Sequence, residues 1–438
     1  MSESVTLPPS SEYAVEHLKR EIAFMEDVAW GLAGCGDEYA LLQAPMFMTQ
    51  IEFAQKTLQH VEEGIPFTQL WYPGVPEFCT AMDLHWDGFT RVTLSGPLAY
   101  LVPEYLLKML EESDMTGLPG DVCTLRRFET AAMLAGKFPR PTSAVACLHP
   151  CDGVSVFQSA CEQMFPDTPM FWADSPYDSN ERGITYYAGE LRRQVEFLEK
   201  HHNKKLDWDR LREVIAVTDT QYELWKEFDL LKRNTPCPMG SWSGYPIHHM
   251  LQNCAVTNAA PVTTEYLKSL IAYAEKQVAE GKGRLENEKH RCLFMDIAPT
   301  WVGSITKILE EECNAVVVVD GMGDSRPYTP IDLTSEQTIL EGLAKRYCMD
   351  TPMIRVSHGT LDAMLDDLRA NVVDYNLDVV IAPGHIGHKD VQAAQGILRD
   401  TCREMGVKLL EFNYDLFDPR YTPEEEMRKI LTQFFDAI

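Results

Sequence analysis

The 438 residues carry 66 acidic against 39 basic side chains, a net charge of −27, with 45% hydrophobic and 24% charged content. This is the balance expected of a soluble globular protein, with length enough for two or three domains and an ample core. No apolar run reaches the roughly 20 residues of a membrane helix, and no basic stretch interleaved with aromatics stands out, so neither a membrane nor nucleic acid is expected as a partner.

The opening stretch, MSESVTLPPSSEYAVEHLKREI, lacks the charged-then-apolar plan of a signal peptide, and the cytoplasm is the expected location. Twelve cysteines in such a chain argue against a disulfide framework and leave packed thiols or metal ligands. Cys79, Cys161, Cys254, Cys292, Cys313, Cys348 and Cys402 sit in apolar or helical contexts and read as core residues.

In chain order, residues 1–65 form an N-terminal helical segment. YAVEHLKREIAFMEDVAWGLAG and MFMTQIEFAQKTLQHVEEG both repeat apolar residues at three- and four-residue spacing. Residues 66–182 alternate strand-like runs with helical patterns, the strands being FTRVTLSG (89–96), SAVACLHP (143–150) and PMFWAD (169–174). Such alternation predicts parallel βα units. Residues 183–285 lose the strand signal and form a helical connection, with Asp207 as a helix N-cap and a polar hinge at NTPCPMGSWSGYP. Residues 286–438 form a second α/β lobe around HRCLFMD, AVVVVDG, LDVVIAPG and VKLLEFN. The predicted class is α/β, with two parallel-sheet lobes and ligands expected at the carboxyl ends of the strands.

Several motifs are missing from the sequence: the G-x-x-x-x-G-K-[ST] phosphate loop, the G-x-S-x-G elbow and H-E-x-x-H. DGMGD (320–324) is not G-x-G-x-x-G and reads as a tight turn. Soft-metal donors cluster instead in three loops. GDVCTLRRF holds Cys123, CLHPCDGV holds Cys147 and Cys151, and PGHIGHKD holds His385 and His388. Donors spread over distant strand-end loops suit a cluster held between lobes better than a compact zinc ribbon. By spacing alone, incidental thiols and a polar histidine loop remain open. Trp71 and Tyr72, and Trp242, Tyr245, His248 and His249, read equally as pocket wall or core.

Taken in order, WYPGVPEFCTAMDL (71–84), GDVCTL (120–125), HPCDG (149–153), EKHRCLFMDIAPTW (288–301) and FDPRY (417–421) give the chain a clear likeness. Over residues 66–438 it resembles the 2-hydroxyacyl-CoA dehydratase / benzoyl-CoA reductase family, as a larger subunit of the heterodimeric catalytic component. The resemblance implies two Rossmann-like lobes with helical additions and a [4Fe-4S] cluster held by three cysteines. Cys123 takes the place of the first and Cys151 of the second. His388 stands where the third is expected, in GHIGHKD, as an iron ligand or as a proton donor to the leaving hydroxyl, with Cys147 as a spare thiolate.

The implied partners are a smaller homologous catalytic subunit, a separate ATP-dependent iron–sulfur activator and an acyl-CoA substrate. The implied reaction is one-electron reduction of an (R)-2-hydroxyacyl-CoA to a ketyl radical that expels hydroxide and yields an enoyl-CoA. The missing phosphate loop agrees with ATP hydrolysis in the activator. A benzoyl-CoA-reductase-type subunit and a non-catalytic scaffold subunit are the alternatives that the resemblance leaves open. A double-cubane reductase of the same superfamily fits less well with a missing third cysteine.

Overall fold

A computed structural model describes residues 10–34, 36–71, 74–88, 103–148, 152–177, 180–253, 258–297, 302–357, 361–416 and 418–438. The fold begins with two helices, Glu12–Gly34 and Ala44–Glu63. Leu18, Ile22, Met25 and Ala29 of the first close on Ile51 and Ala54 of the second. Pro45 occupies the first turn of the second helix, where its missing N–H breaks no bond, and Gly64 ends it at φ 68°.

Two four-stranded, all-parallel sheets follow. The first has the order β2-β1-β3-β4, with β1 Thr68–Leu70, β2 Trp86–Gly88, β3 Ser143–Cys147 and β4 Met170–Ala173. The second has the order β6-β5-β7-β8, with β5 His290–Phe294, β6 Ala315–Asp320, β7 Val379–His385 and β8 Lys408–Tyr414. This is the α/β architecture of two Rossmann-like lobes that the alternating pattern predicts. The runs at 143–150, 169–174 and in the second lobe each become a strand, buried throughout in β3, β6 and β7. β1 and β2 escape the sequence reading because three residues show no period. The strand expected at 89–96 lies outside the described residues.

The last residues of β7 are AlaProGlyHis, an odd end for an inner strand. β5 pairs with β7 only at Val379, Val380 and Ile381, and the last bond between them runs from Met295 N–H to the Ile381 carbonyl. Pro383 turns its nitrogen toward the same side, beyond the end of β5, so the missing N–H leaves no gap in that ladder. β8 continues alongside for four further pairs, to His385 opposite Tyr414.

Helices tie the lobes together. Trp208–Leu231, capped by Asp207 through the N–H groups of Asp209 and Arg210, places Leu211 and Ile215 in the first lobe's core. Its later residues Tyr222, Trp225 and Phe228 enter the core of the second. Helix Glu336–Lys345 begins with a reciprocal Ser335–Thr338 capping box and also packs Ile339, Leu340 and Leu343 into the first lobe's core. No described helix is long and apolar enough to cross a membrane.

Candidate functional site

The order β6-β5-β7-β8 reverses direction between β5 and β7, and open α/β sheets bind their ligands in the crevice at such a point. Asp296 follows β5, His385 ends β7 with His388 just beyond it, and Tyr414 ends β8 with Asp415 next in the chain. All five are buried. In the first sheet the reversal falls between β1 and β3, and Cys147 is the last residue of β3. Cys151, four residues on, and His149 lie outside the described residues, as does Tyr72.

Cys123 supplies the first lobe's side of the site. It is the N-cap of helix Thr124–Leu134, with extended backbone angles of φ −43° and ψ 127°. A thiolate at that position faces the positive end of the helix dipole. Its Sγ lies 3.3 Å from Nε2 of His385, 262 residues away in the chain. Gly387 makes this approach possible, because a Cβ there would fall 2.4 Å from the Cys123 Cβ. At the rim, Lys389 Nζ pairs with Asp121 Oδ2 at 2.9 Å between exposed side chains.

His388 turns to a different partner. Its Nδ1 is 2.8 Å from Asp296 Oδ1, which also accepts the N–H of Ile297 at 2.7 Å. The second oxygen of Asp296 is buried without a hydrogen-bond partner. The two imidazole rings meet edge to face with centroids 4.6 Å apart. Tyr414 packs beside His385 at 5.3 Å, and its hydroxyl donates to the carbonyl of Ile297. Burial, reinforced by the adjacent His388, pushes His385 down to about 4 against the opposing pull of Asp415 and Asp296. The ring is therefore neutral at physiological pH.

Of the residues singled out from the sequence, Cys123 and the His385–His388 loop are brought together. Cys147 is not part of this contact. Its side chain is buried in the first lobe's core with Tyr187 and Cys348. Trp71 is a core anchor, stacked on Trp172 at 5.5 Å and edge-on to Phe157 at 5.4 Å. Trp242 packs against Phe294, and His248 is wholly buried. DGMGD is a tight turn closed by Gly323 N–H to the Asp320 carbonyl. Sequence reasoning missed Asp296, Tyr414 and Asp415 as site residues, although each directly follows or ends a strand that it identified. Among the described residues, no three His, Cys, Asp or Glu side chains converge as a ready metal set.

The sequence profile of the family described as 2-hydroxyglutaryl-CoA dehydratase, D-component, matches residues 76–438. The chain belongs to that family. The match begins beside helix Pro76–Ala81 and takes in both sheets except β1, together with Cys123 and the histidine loop. Among curated proteins, the chain is similar to the (R)-2-hydroxyisocaproyl-CoA dehydratase alpha subunit of Clostridioides difficile. The identity is 22% over 205 residues, 44% of this chain and 49% of that protein. The chain thus matches about half the length of this relative.

Proposed function

We propose that this chain is a catalytic-component subunit of an (R)-2-hydroxyacyl-CoA dehydratase, acting with a smaller homologous subunit and a separate ATP-dependent iron–sulfur activator. Family membership supports the reaction class, and the relative's description as an alpha subunit supports a multi-subunit enzyme. The observation that carries the site is the Asp296–His388 contact beside Cys123. An imidazole whose Nδ1 is held by a carboxylate presents Nε2 in one tautomer and one orientation, the arrangement common around histidine metal ligands.

The donors fit a [4Fe-4S] cluster in kind: a thiol at a helix N-terminus from one lobe and a carboxylate-held imidazole from the other. Cys123, Cys151 and His388 would hold it, the last through Nε2. When bound, the cluster supplies low-potential one-electron chemistry. The protein's own contribution is geometric and electrostatic. Asp296 fixes the His388 ring by accepting its Nδ1 hydrogen. The inter-lobe contact at Gly387 and burial of Cys123, His385 and His388 limit the access of water. In this reaction the thioester carbonyl gains one electron to become a ketyl radical. The C–O bond at C2 then breaks, and the hydroxyl leaves with a proton as water. Loss of a β-proton and return of the electron give the enoyl-CoA.

The test is turnover by the purified heterodimer with its activator, ATP and a reductant. It compares an (R)-2-hydroxyacyl-CoA with an aromatic acyl-CoA. Enoyl-CoA formed from the hydroxy substrate and lost in Cys123→Ala and His388→Ala supports the reading. Ring reduction of the aromatic substrate, or full turnover by both variants, contradicts it.

A further inference from the structure

The sequence marked His385 only as one of several candidate donors, yet its ring makes a buried inter-lobe contact at the site. Nε2 lies 3.3 Å from the Cys123 sulfur, a hydrogen-bonding separation. Ligands on two different irons of one cluster stand much farther apart than this. His385 is therefore placed beside a ligand, not as a further ligand on a neighbouring iron. The opposite nitrogen, Nδ1, makes no well-aligned hydrogen bond among the described residues; it faces the Asp415 carboxylate at 4.0 Å, with the Tyr414 backbone carbonyl also near the ring.

An imidazole carries a proton on at least one of its two ring nitrogens. The groups around the ring, the Cys123 sulfur on one side and the Asp415 carboxylate and Tyr414 carbonyl on the other, are acceptors. The sulfur is the nearer and lies at hydrogen-bond range, so it takes the proton-bearing nitrogen. Retreat is prevented on two sides. Gly387 presses its backbone on Cys123, and Tyr414 packs against the His385 ring. The bond from the Gln392 side-chain amide to the His385 carbonyl, 3.0 Å, holds the backbone of the same residue.

We propose that His385 is a positioning residue that donates its Nε2 hydrogen to the Cys123 sulfur and thereby raises the reduction potential of the cluster that Cys123 helps to hold. The inference rests on the reading of Cys123 as a cluster ligand. Its physical basis is that reduction adds negative charge, part of which falls on the cysteine sulfurs. A donor fixed at one of them stabilises the reduced form more than the oxidised form. His388, as a neutral ligand in place of a thiolate, shifts the potential in the same direction. His385 acts separately, through the sulfur.

The experiment uses full-length chain in its heterodimer, reconstituted anaerobically with iron and sulfide. Iron content and midpoint potential, by EPR-monitored redox titration, are read for wild type, His385→Phe, His385→Leu and His385→Gln. Phe keeps a ring and Leu an apolar bulk without a donor, whereas Gln restores an N–H. With equal iron loading, the apolar variants are expected at a lower potential than wild type and Gln between them. Loss of iron in both apolar variants but not in Gln supports the donor role equally. Equal potentials at equal loading overturn it while leaving the cluster reading intact, as does loss of iron in all three variants. A wild-type chain without iron overturns the cluster reading, and the inference falls with it.

Discussion

The Asp296 carboxylate lies 2.8 Å from Nδ1 of His388, bridging the end of one central strand and the turn after its neighbour across the point where the second sheet reverses. This contact makes a histidine loop a directed donor. Removing the charge while keeping the shape, as in Asp296→Asn, offers the ring a donor as well as an acceptor and so leaves it free to change tautomer. Loss of such an outer partner costs about 10–100-fold in metal affinity or activity. The variant is expected to fold with an unchanged melting temperature and to release iron faster to a chelator than wild type. Equal release rates would show that the contact is structural.

Gly387 makes a second, sterically defined prediction. A methyl group there meets the Cβ, Cα and N of Cys123, at 2.4, 2.6 and 3.0 Å, atoms that cannot swing away as a flexible side-chain end can. Gly387→Ala should separate the two loops and destabilise by about 1–3 kcal/mol, the usual range for overpacking. Activity should fall further than stability, because the shift lies at the site. Urea unfolding and turnover of the same preparation check both halves.

The buried cation Arg346 lies between β6 and β7 in sequence but packs with the first lobe. It stands 3.5 Å from Glu77 and 3.1 Å from the Thr218 hydroxyl, pairs with Asp219, and lies over the Tyr222 ring. Burial raises the Glu77 pKa, and Arg346 is the main force holding it down. Arg346→Met leaves that carboxylate without its counter-charge. Breaking a buried pair from one side costs about 3–5 kcal/mol. The double variant Arg346→Met/Glu77→Gln should recover part of the loss in chemical denaturation.

How much of this was legible in the sequence differs element by element. β6 (AVVVVD) and the start of β7 (VVIA) are short, β-branched apolar runs bounded by turn residues, the pattern of a strand buried on both faces. The loops at Cys123 and His388 were legible as carriers of a thiol and an imidazole. The Cys123–His385 contact was not, because nothing local in either segment encodes a partner 262 residues away. Asp296 and Asp415 were hidden for another reason: a carboxylate after a strand is common, and only sheet order shows which of them face one crevice. Helix Glu336–Lys345 went unremarked, although Ser335 and Thr338 form its cap. Its packing in the first lobe's core could not be read from its place in the chain.

Asp320, on the strand beside Asp296, predicts a pH dependence of stability. It is buried at the end of β6, and burial pushes its carboxyl up to about 6 against the pull of Lys232. A carboxyl whose folded pKa exceeds its unfolded value favours folding when protonated. That contribution is complete below about pH 4 and is lost as pH rises through about 6. The two-unit difference corresponds to ~3 kcal/mol. Asp320→Asn should therefore be more stable than wild type at pH 7, with the difference shrinking toward pH 4. Melting temperatures across that interval measure it, and a constant difference would contradict the assignment.

The iron–sulfur cluster proposed for this chain would be held by its own Cys123 and His388. That assignment is tested most directly by iron, acid-labile sulfide and Mössbauer spectra on the anaerobic wild-type subunit, Cys123→Ser and His388→Ala. Iron and sulfide are expected in equal amounts in wild type, with the spectrum of one iron site altered in each variant. A wild-type subunit devoid of iron while its partner subunit is loaded would contradict it.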